Sequence, residues 1–161
     1  MHYKMRDQIR FKIGKEEKNI QEKWIEIPEG TEHIQMMIEM PEEFRYMAFL
    51  FLEDPKKEIR FQKLLGYGQQ NPGIGKSTKD TTIGGVPGEI YPGTWKIGIG
   101  IFTEYVAQKL GEQTGEIVLT VSDRKDVVSD PIGGECWVEN GLHVSEQSYR
   151  WENVFLSGIR M

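Results

Sequence analysis

The sequence predicts an all-β fold, an antiparallel β-sandwich of jelly-roll type with eight or nine strands. Three observations support this prediction. Ile and Val number 26 and the aromatic residues 17, whereas Leu and Ala together number only 10; β-branched and aromatic side chains fit a pleated sheet, and Leu and Ala fit helices. Several segments alternate apolar and polar residues with period two. Finally, the sequence lacks the β-α-β alternation that predicts a parallel sheet.

The first forty residues contain three segments that predict strands. Residues 9–13 alternate around Phe11, and residues 34–40 carry Ile or Met at every second position. Between them, residues 24–27 form a short apolar segment, which ends at the turn signal Pro-Glu-Gly-Thr of residues 28–31. Alternation with a buried face is typical of strands in a sandwich.

The middle of the chain contains a continuously apolar run and a long glycine-rich segment. Residues 46–52 are apolar throughout, which predicts a central strand buried on both faces. Asp54-Pro55 indicates a turn, and residues 59–64 give the next strand. Residues 67–93 are rich in glycine and predict a long loop.

The cleanest alternation follows this loop. Residues 95–101 carry Trp95 and three Ile at alternate positions, so we expect Trp95 in the core. Residues 103–113 predict a short helix with Thr103 as its N-cap, and residues 117–121 predict another strand.

The C-terminal part predicts a linker and a strand-forming tail. We place the sandwich domain at residues 1–125 and the linker and tail at 126–161, with strands at 136–138 and 149–156. An apolar tail has to be buried away from water. It can form an edge strand on its own domain, or it can pair with a second copy in a homodimer. The apolar residues of the tail are Trp137, Val138, Tyr149, Trp151, Val154, Phe155 and Leu156.

Charge and composition exclude several classes of protein. The formal net charge is −5 with both signs interspersed, so we expect no nucleic-acid binding. No apolar run approaches the length of a membrane span, and the N-terminus lacks the pattern of a signal peptide. The single cysteine, Cys136, cannot form an intrachain disulfide. These features predict a cytoplasmic protein without membrane contact.

The sequence offers no convincing catalytic or metal-binding motif. The segment 73–78 ends like a phosphate-binding loop, but Gln70 stands where that loop needs its first glycine. No two of the three histidines, His2, His33 and His143, have metal-ligand spacing, and no nucleophile elbow is present. We therefore expect no enzyme activity, no cofactor and no transition metal.

Two further kinds of site stay open as alternatives. Loop carboxylates at Asp123, Asp126, Asp130 and Glu135 are a weak signal for calcium, and for an enzyme that uses them. Polar and aromatic side chains of the long loop are the stronger signal, for a small-molecule or carbohydrate-binding module that stacks its ligand on aromatic rings. The predicted ligand-binding residues are Tyr67, Gln69, Gln70, Asn71, Lys76 and Tyr91.

An ordered series of short motifs between residues 27 and 122 resembles a known module. The series includes Ile-Pro-Glu-Gly-Thr at 27–31, Phe-Leu-Glu-Asp-Pro at 51–55, Gly-Lys-Ser-Thr at 75–78, and Gly-Val-Pro-Gly-Glu-Ile-Tyr-Pro-Gly-Thr-Trp at 85–95. It resembles the N-terminal β-sandwich of CehA/McbA-type metallohydrolases, in the polymerase-and-histidinol-phosphatase (PHP) superfamily of phosphoesterases. In that family the sandwich precedes a metal-dependent catalytic domain.

The resemblance implies an accessory module without catalysis. The segment Gly-Leu-His-Val-Ser at 141–145 has Ser145 where the family's metal-binding motif carries a second histidine, and only sixteen residues follow it. No catalytic residue is carried over. We therefore expect a non-catalytic module that acts by contact with a metal-dependent phosphoesterase or by self-association.

Overall fold

Two four-stranded antiparallel sheets form the part of the protein that the structure describes. The computed structural model describes residues 5–66, 70–111, 114–125 and 128–133. Besides the strands there is one α-helix, α1 (Thr103–Leu110), and two short 3-10 turns at Glu42–Phe44 and Thr78–Asp80. The strands are β1 (Arg6–Ile13), β2 (Ile20–Ile27), β3 (Ile34–Glu39), β4 (Phe49–Glu53), β5 (Ile59–Leu64), β6 (Gly73–Ile74), β7 (Gly93–Gly100) and β8 (Gly115–Ser122).

The strand order is that of a jelly roll. Sheet I has the order β1-β8-β3-β6 and sheet II the order β2-β7-β4-β5, and every strand pair is antiparallel. Folding a double hairpin in which β1–β4 pair with β5–β8 gives this interleaved order. The predicted all-β sandwich is therefore confirmed.

The core lies between the sheets and consists of the inward positions of the alternating strands. Trp95 is fully buried, as predicted, and its indole Nε1 donates to the carbonyl oxygen of Tyr91 at 2.7 Å. The buried indole N–H thus has the partner that it needs. Other fully buried core residues are Phe11, Ile34, Met36, Ile38, Leu50, Leu52, Phe61, Ile74, Ile97, Ile99, Ile117, Leu119 and Val121.

The predicted central strand at 46–52 is wrong in extent and in burial. Strand β4 begins only at Phe49, and Phe49 and Phe51 point outward while Leu50 and Leu52 enter the core. Within the described part of the chain, sheet II packs against the other sheet on one side only, so no second layer of described residues covers its outward side chains. Strand β2 is longer than predicted, because it begins at Ile20.

The predicted helix is present at α1, but its N-cap differs from the prediction. Phe102, not Thr103, is the N-cap residue, and its side chain makes no capping hydrogen bond. Instead, Asn19 Oδ1 accepts the Thr103 backbone N–H at 3.0 Å. A side chain distant in sequence thus satisfies the helix end, which a local pattern could not reveal.

The described residues 128–133 pack against the sandwich. The Ile132 N–H donates to the Thr81 carbonyl at 2.8 Å, and the Gly133 N–H donates to the Thr78 carbonyl at 3.1 Å. Asp130 lies near β5, with Oδ2 3.8 Å from Lys63 Nζ. The predicted boundary at residue 125 stays a prediction, and the predicted strands at 136–138 and 149–156 lie outside the described residues.

Candidate functional site

The structure places the predicted ligand-binding residues of the long loop in different surroundings. Gln70 pairs with Ile38 of β3, since its carbonyl accepts the Ile38 N–H at 2.8 Å. The neighbouring Asn71 carbonyl accepts Gln35 Nε2 at 3.0 Å. Both residues therefore extend the edge of sheet I. Tyr67 and Gln69 lie outside the described residues.

Lys76 and Tyr91 lie elsewhere. Lys76 Nζ is 3.7 Å from Glu89 Oε1. The Tyr91 ring has Lys56 Nζ 4.1 Å from its centroid, and the Tyr91 carbonyl accepts the indole N–H of Trp95 in sheet II. Among the described residues, no hydrogen bond joins Tyr91 to Gln70 or Asn71. The use of these residues for a ligand stays a prediction.

A buried arginine fixes the loop that leads to Tyr91. Arg60 of β5 donates to the carbonyl oxygens of Val86 at 3.2 Å and Glu89 at 2.7 Å, and its Nη1 lies 3.5 Å from Asp54 Oδ2. Asp54 in turn accepts the Glu58 N–H at 3.0 Å, across the turn between β4 and β5. Because both charged side chains are almost fully buried, the pair is a structural element of the fold.

A polar pocket of about 510 Å³ lies beside His33. His33 is buried, and its Nε2 lies 2.8 Å from Gln35 Oε1, so Nε2 carries the hydrogen and Nδ1 is the bare nitrogen. Nδ1 has no hydrogen-bond partner within the described part of the chain. Burial lowers the pKa of His33 below the ordinary 6.5.

Two other charged groups of this pocket, Asp80 and Lys125, form an ion pair. Asp80 Oδ1 is 2.5 Å from Lys125 Nζ and its Oδ2 accepts Ser77 Oγ at 3.0 Å, and the hydrogen bond from Lys125 lowers the pKa of Asp80. Nowhere in residues 5–66, 70–111, 114–125 and 128–133 do three His, Cys, Asp or Glu side chains group to hold a metal ion. Among the described residues, the pocket therefore offers no cluster of three metal-ligating side chains.

The most distinctive surface is an apolar row on the outer face of sheet II. In the strand register, Ile20 of β2 lies opposite Gly100 of β7, Gly100 opposite Phe49 of β4, and Phe49 opposite Leu64 of β5. Directly opposed residues share a face, so the row crosses the whole sheet over about 14 Å. Ile20 is 60% exposed and Leu64 49%, so both ends of the row present large apolar side chains to the surface.

Glycine at position 100 makes this row concave. A Cβ built on Gly100 would have no atom within 4 Å, so the floor of the row is open between Ile20 and Phe49. One position pair further along, the Phe51 ring covers Gly98, where a Cβ would lie only 2.0 Å from the ring. Gly98 is thus covered by the Phe51 ring, whereas no side chain of the described residues covers Gly100.

Residues outside the sheet form the walls of a cavity of about 540 Å³ at Gly100. Phe102, 74% exposed, and Tyr105 stand on one side, where β7 passes into α1. Tyr46 stands on another, with a φ of 60°. A left-handed backbone is costly for a bulky residue, and such strain is concentrated at binding sites. We call the six residues Ile20, Phe49, Leu64, Gly100, Phe102 and Tyr105 the apolar groove.

A charged cluster lies on the same sheet face, next to Ile20 through Glu22 and separated from Gly100 by Gly98 and the Phe51 ring. Lys96 Nζ lies 3.2 Å from Glu22 Oε2 and 3.5 Å from Glu53 Oε1, and the hydrogen bond to Glu22 raises the pKa of Lys96. An apolar centre with a polar border is the usual composition of a protein-binding surface. Sequence analysis did not find this groove, although Gly98 and Gly100 at the outward positions of β7 were a signal for it.

No helix of the described residues combines the length and apolarity that a membrane crossing requires. The six residues that define the apolar groove are aliphatic or aromatic, apart from Gly100.

Similarity to known proteins is found among solved structures. No protein-family model matches the chain, and no curated protein matches it in sequence. Solved structures that are similar to it include the crystal structure of Aeromonas hydrophila PliG, a periplasmic lysozyme inhibitor of g-type lysozyme. The two share 10% sequence identity with a TM-score of 0.35, over 73% of this chain and 84% of that chain.

Proposed function

We propose that this protein is a non-catalytic binding module that contacts an apolar polypeptide segment through the apolar groove. The observation that carries the proposal is the concave row of Ile20, Gly100, Phe49 and Leu64 on a sheet face that no second layer covers in the described structure. Leaving this apolar surface in water is unfavourable by about 25 cal/mol per Å². A polypeptide partner would remove that cost.

The shape of the groove favours a polypeptide over a small molecule. The row is about 14 Å long, which matches about four residues of extended chain. It is open at the surface and lined by side chains from three strands, by Gly100 of the fourth, and by the start of α1. Alternate side chains of an extended segment would enter beside Gly100, while its polar backbone would face the Glu22, Lys96 and Glu53 border.

The family resemblance implies a metal-dependent phosphoesterase as the partner. We include this class of partner in the proposal. It would contact the module through the same groove. A gene for such an enzyme next to the gene for this chain, and co-purification of the two products that fails when the groove is filled, would support this choice. Co-purification that is unaffected by filling the groove would place the contact elsewhere.

Filling the groove tests the proposed function. Gly100→Trp places a ring in open space, where the neighbouring atoms permit a side chain. Gln8→Trp, at an exposed position of β1 in sheet I, is the matched control. A random peptide library displayed on phage is selected on the whole chain, and the enriched peptides are titrated by calorimetry.

We expect the enriched peptides to carry aromatic or aliphatic residues at alternate positions. Gly100→Trp should weaken their binding by at least about tenfold, a loss of 1.4 kcal/mol, and Gln8→Trp should leave it unchanged. Peptides that bind the two variants equally would refute the groove as the contact surface. Selection of glycans or small apolar compounds, but of no peptide, would favour a ligand-binding module instead.

A further inference from the structure

The sequence of this chain contains a segment with the chemistry that the apolar groove requires. Residues 149–156 read Tyr-Arg-Trp-Glu-Asn-Val-Phe-Leu, with Tyr149, Trp151 and Phe155 at positions of one parity. In an extended segment these three aromatic side chains would share a face. Large aromatic side chains are the residues that anchor protein contacts in pockets.

The described chain ends beside the 3-10 turn at Thr78–Asp80, where the Gly133 N–H donates to the Thr78 carbonyl at 3.1 Å. Three residues earlier, Asp130 Oδ2 is 3.8 Å from Lys63 Nζ of β5, at the edge of sheet II. From Gly133, the last described residue, to Tyr149 the chain can extend at most about 55 Å. The four strands of sheet II are about 14 Å across. Residues 149–156 can therefore reach every part of the groove of their own chain.

Covalent attachment favours this occupant over a free partner. A segment joined to the site by a short stretch of chain has an effective concentration on the order of millimolar. A groove that binds a free apolar peptide at micromolar affinity would then be filled mostly by the segment of its own chain. Trp151 and Phe155 would in turn be removed from water, which an apolar tail requires.

We infer that residues 149–156 bind the apolar groove of the same chain and compete there with any other polypeptide. The inference rests on the proposed function, since it names an occupant for the same surface. It assigns the C-terminal segment a regulatory role: an outside partner must displace it. Binding of a partner would then expose Trp151 and Phe155.

Photo-crosslinking of the full chain tests this occupant directly. A benzophenone amino acid replaces Phe102 at the exposed wall of the groove, and in the control it replaces the exposed Gln8 of β1. Irradiation is done on an equal mixture of ¹⁵N-labelled and unlabelled chains. Trypsin cleaves after Arg150 and Arg160, so the diagnostic product is the peptide 97–109, which carries the benzophenone at position 102, joined to the peptide 151–160.

The expected product joins position 102 to peptide 151–160 of the same isotopic label, and the control at position 8 gives no such product. Products of mixed label would overturn the assignment to the same chain and show exchange between two copies. The absence of any crosslink to residues 149–160 would overturn the inference altogether.

A second measurement separates this inference from the proposed function. The double variant Trp151→Ser/Phe155→Ser removes two of the three aromatic anchors and changes no residue of the two sheets. A free peptide of residues 148–157 should bind this variant at least about tenfold more tightly than it binds the wild-type chain, because its competitor is lost. Equal binding to both chains would refute self-occupancy and leave the proposed function intact. No binding of any apolar peptide to the double variant would refute both.

Discussion

The Phe51 ring lies across Gly98 on the outer face of sheet II, so closely that a Cβ at residue 98 would be 2.0 Å from the ring atom Cζ. The two residues are opposed in the register of β4 and β7. An aromatic ring that covers a glycine on the neighbouring strand protects backbone that would otherwise be exposed. This contact also separates the bare Gly100 from the charged cluster around Lys96.

The first prediction concerns this pair. Gly98→Ala should lower the free energy of unfolding by about 1–3 kcal/mol, because the ring has to move away from its contact. In a Phe51→Ala background the same change should be neutral or stabilising, since alanine has a better strand propensity than glycine. Gly100→Ala, where no atom lies within 4 Å, is the matched control and should cost nothing.

Urea unfolding of the double-mutant cycle measures the coupling. A Gly98→Ala cost that is the same with and without the Phe51 ring would show that the ring and the glycine are energetically independent.

The second prediction concerns Trp95. Trp95→Ala should destabilise the protein by about 3–5 kcal/mol, because it opens a cavity in the core and leaves the Tyr91 carbonyl without its donor. Trp24→Ala, with a side chain 60% exposed on the same sheet, should cost less than about 1 kcal/mol. Thermal or urea unfolding compares the two. Equal losses would mean that Trp95 is not a core residue.

The third prediction concerns the buried pair of Arg60 and Asp54. Arg60→Met leaves Asp54 buried without its cation and should cost about 3–5 kcal/mol. Arg10→Met, which removes an exposed ion pair with Glu116, should cost less than about 1 kcal/mol. A loss below 1 kcal/mol at Arg60, measured in urea, would indicate that its hydrogen bonds to residues 86 and 89 do not hold the loop.

The fourth prediction is a pH dependence of stability from His33. Its pKa is lowered in the folded state by burial, so below pH 6.5 the unfolded chain binds more protons than the folded one. Stability should therefore fall as the pH falls from 6.5 to the folded-state pKa, and become level below it. His33→Gln should remove this part of the pH dependence.

The measurement is urea unfolding between pH 7.5 and pH 5 for both chains. His2→Gln, a histidine outside the described residues, controls for the change in net charge. Identical pH profiles for the wild type and His33→Gln would contradict a buried, neutral His33.

The sequence by itself determined the sandwich and much of its core. Alternation placed Phe11, Met36, Trp95 and Leu119 on inward faces, because the side-chain period of a strand is two residues and the buried face must be apolar. It also located α1, although not the contribution of Asn19 to its N-terminus. These features depend on residues that are close together along the chain, so the sequence is enough to predict them.

Tertiary structure alone decided the apolar groove. The groove combines Ile20, Phe49 and Leu64, which come from three different strands. Only the order and register of sheet II place them beside Gly100. For the same reason, the continuous apolar run at 46–52 misled the prediction: apolar residues on both faces indicate burial on both sides only if a second layer covers each face. Which face has such a layer depends on how the sheets stack, and local periodicity contains no information on stacking.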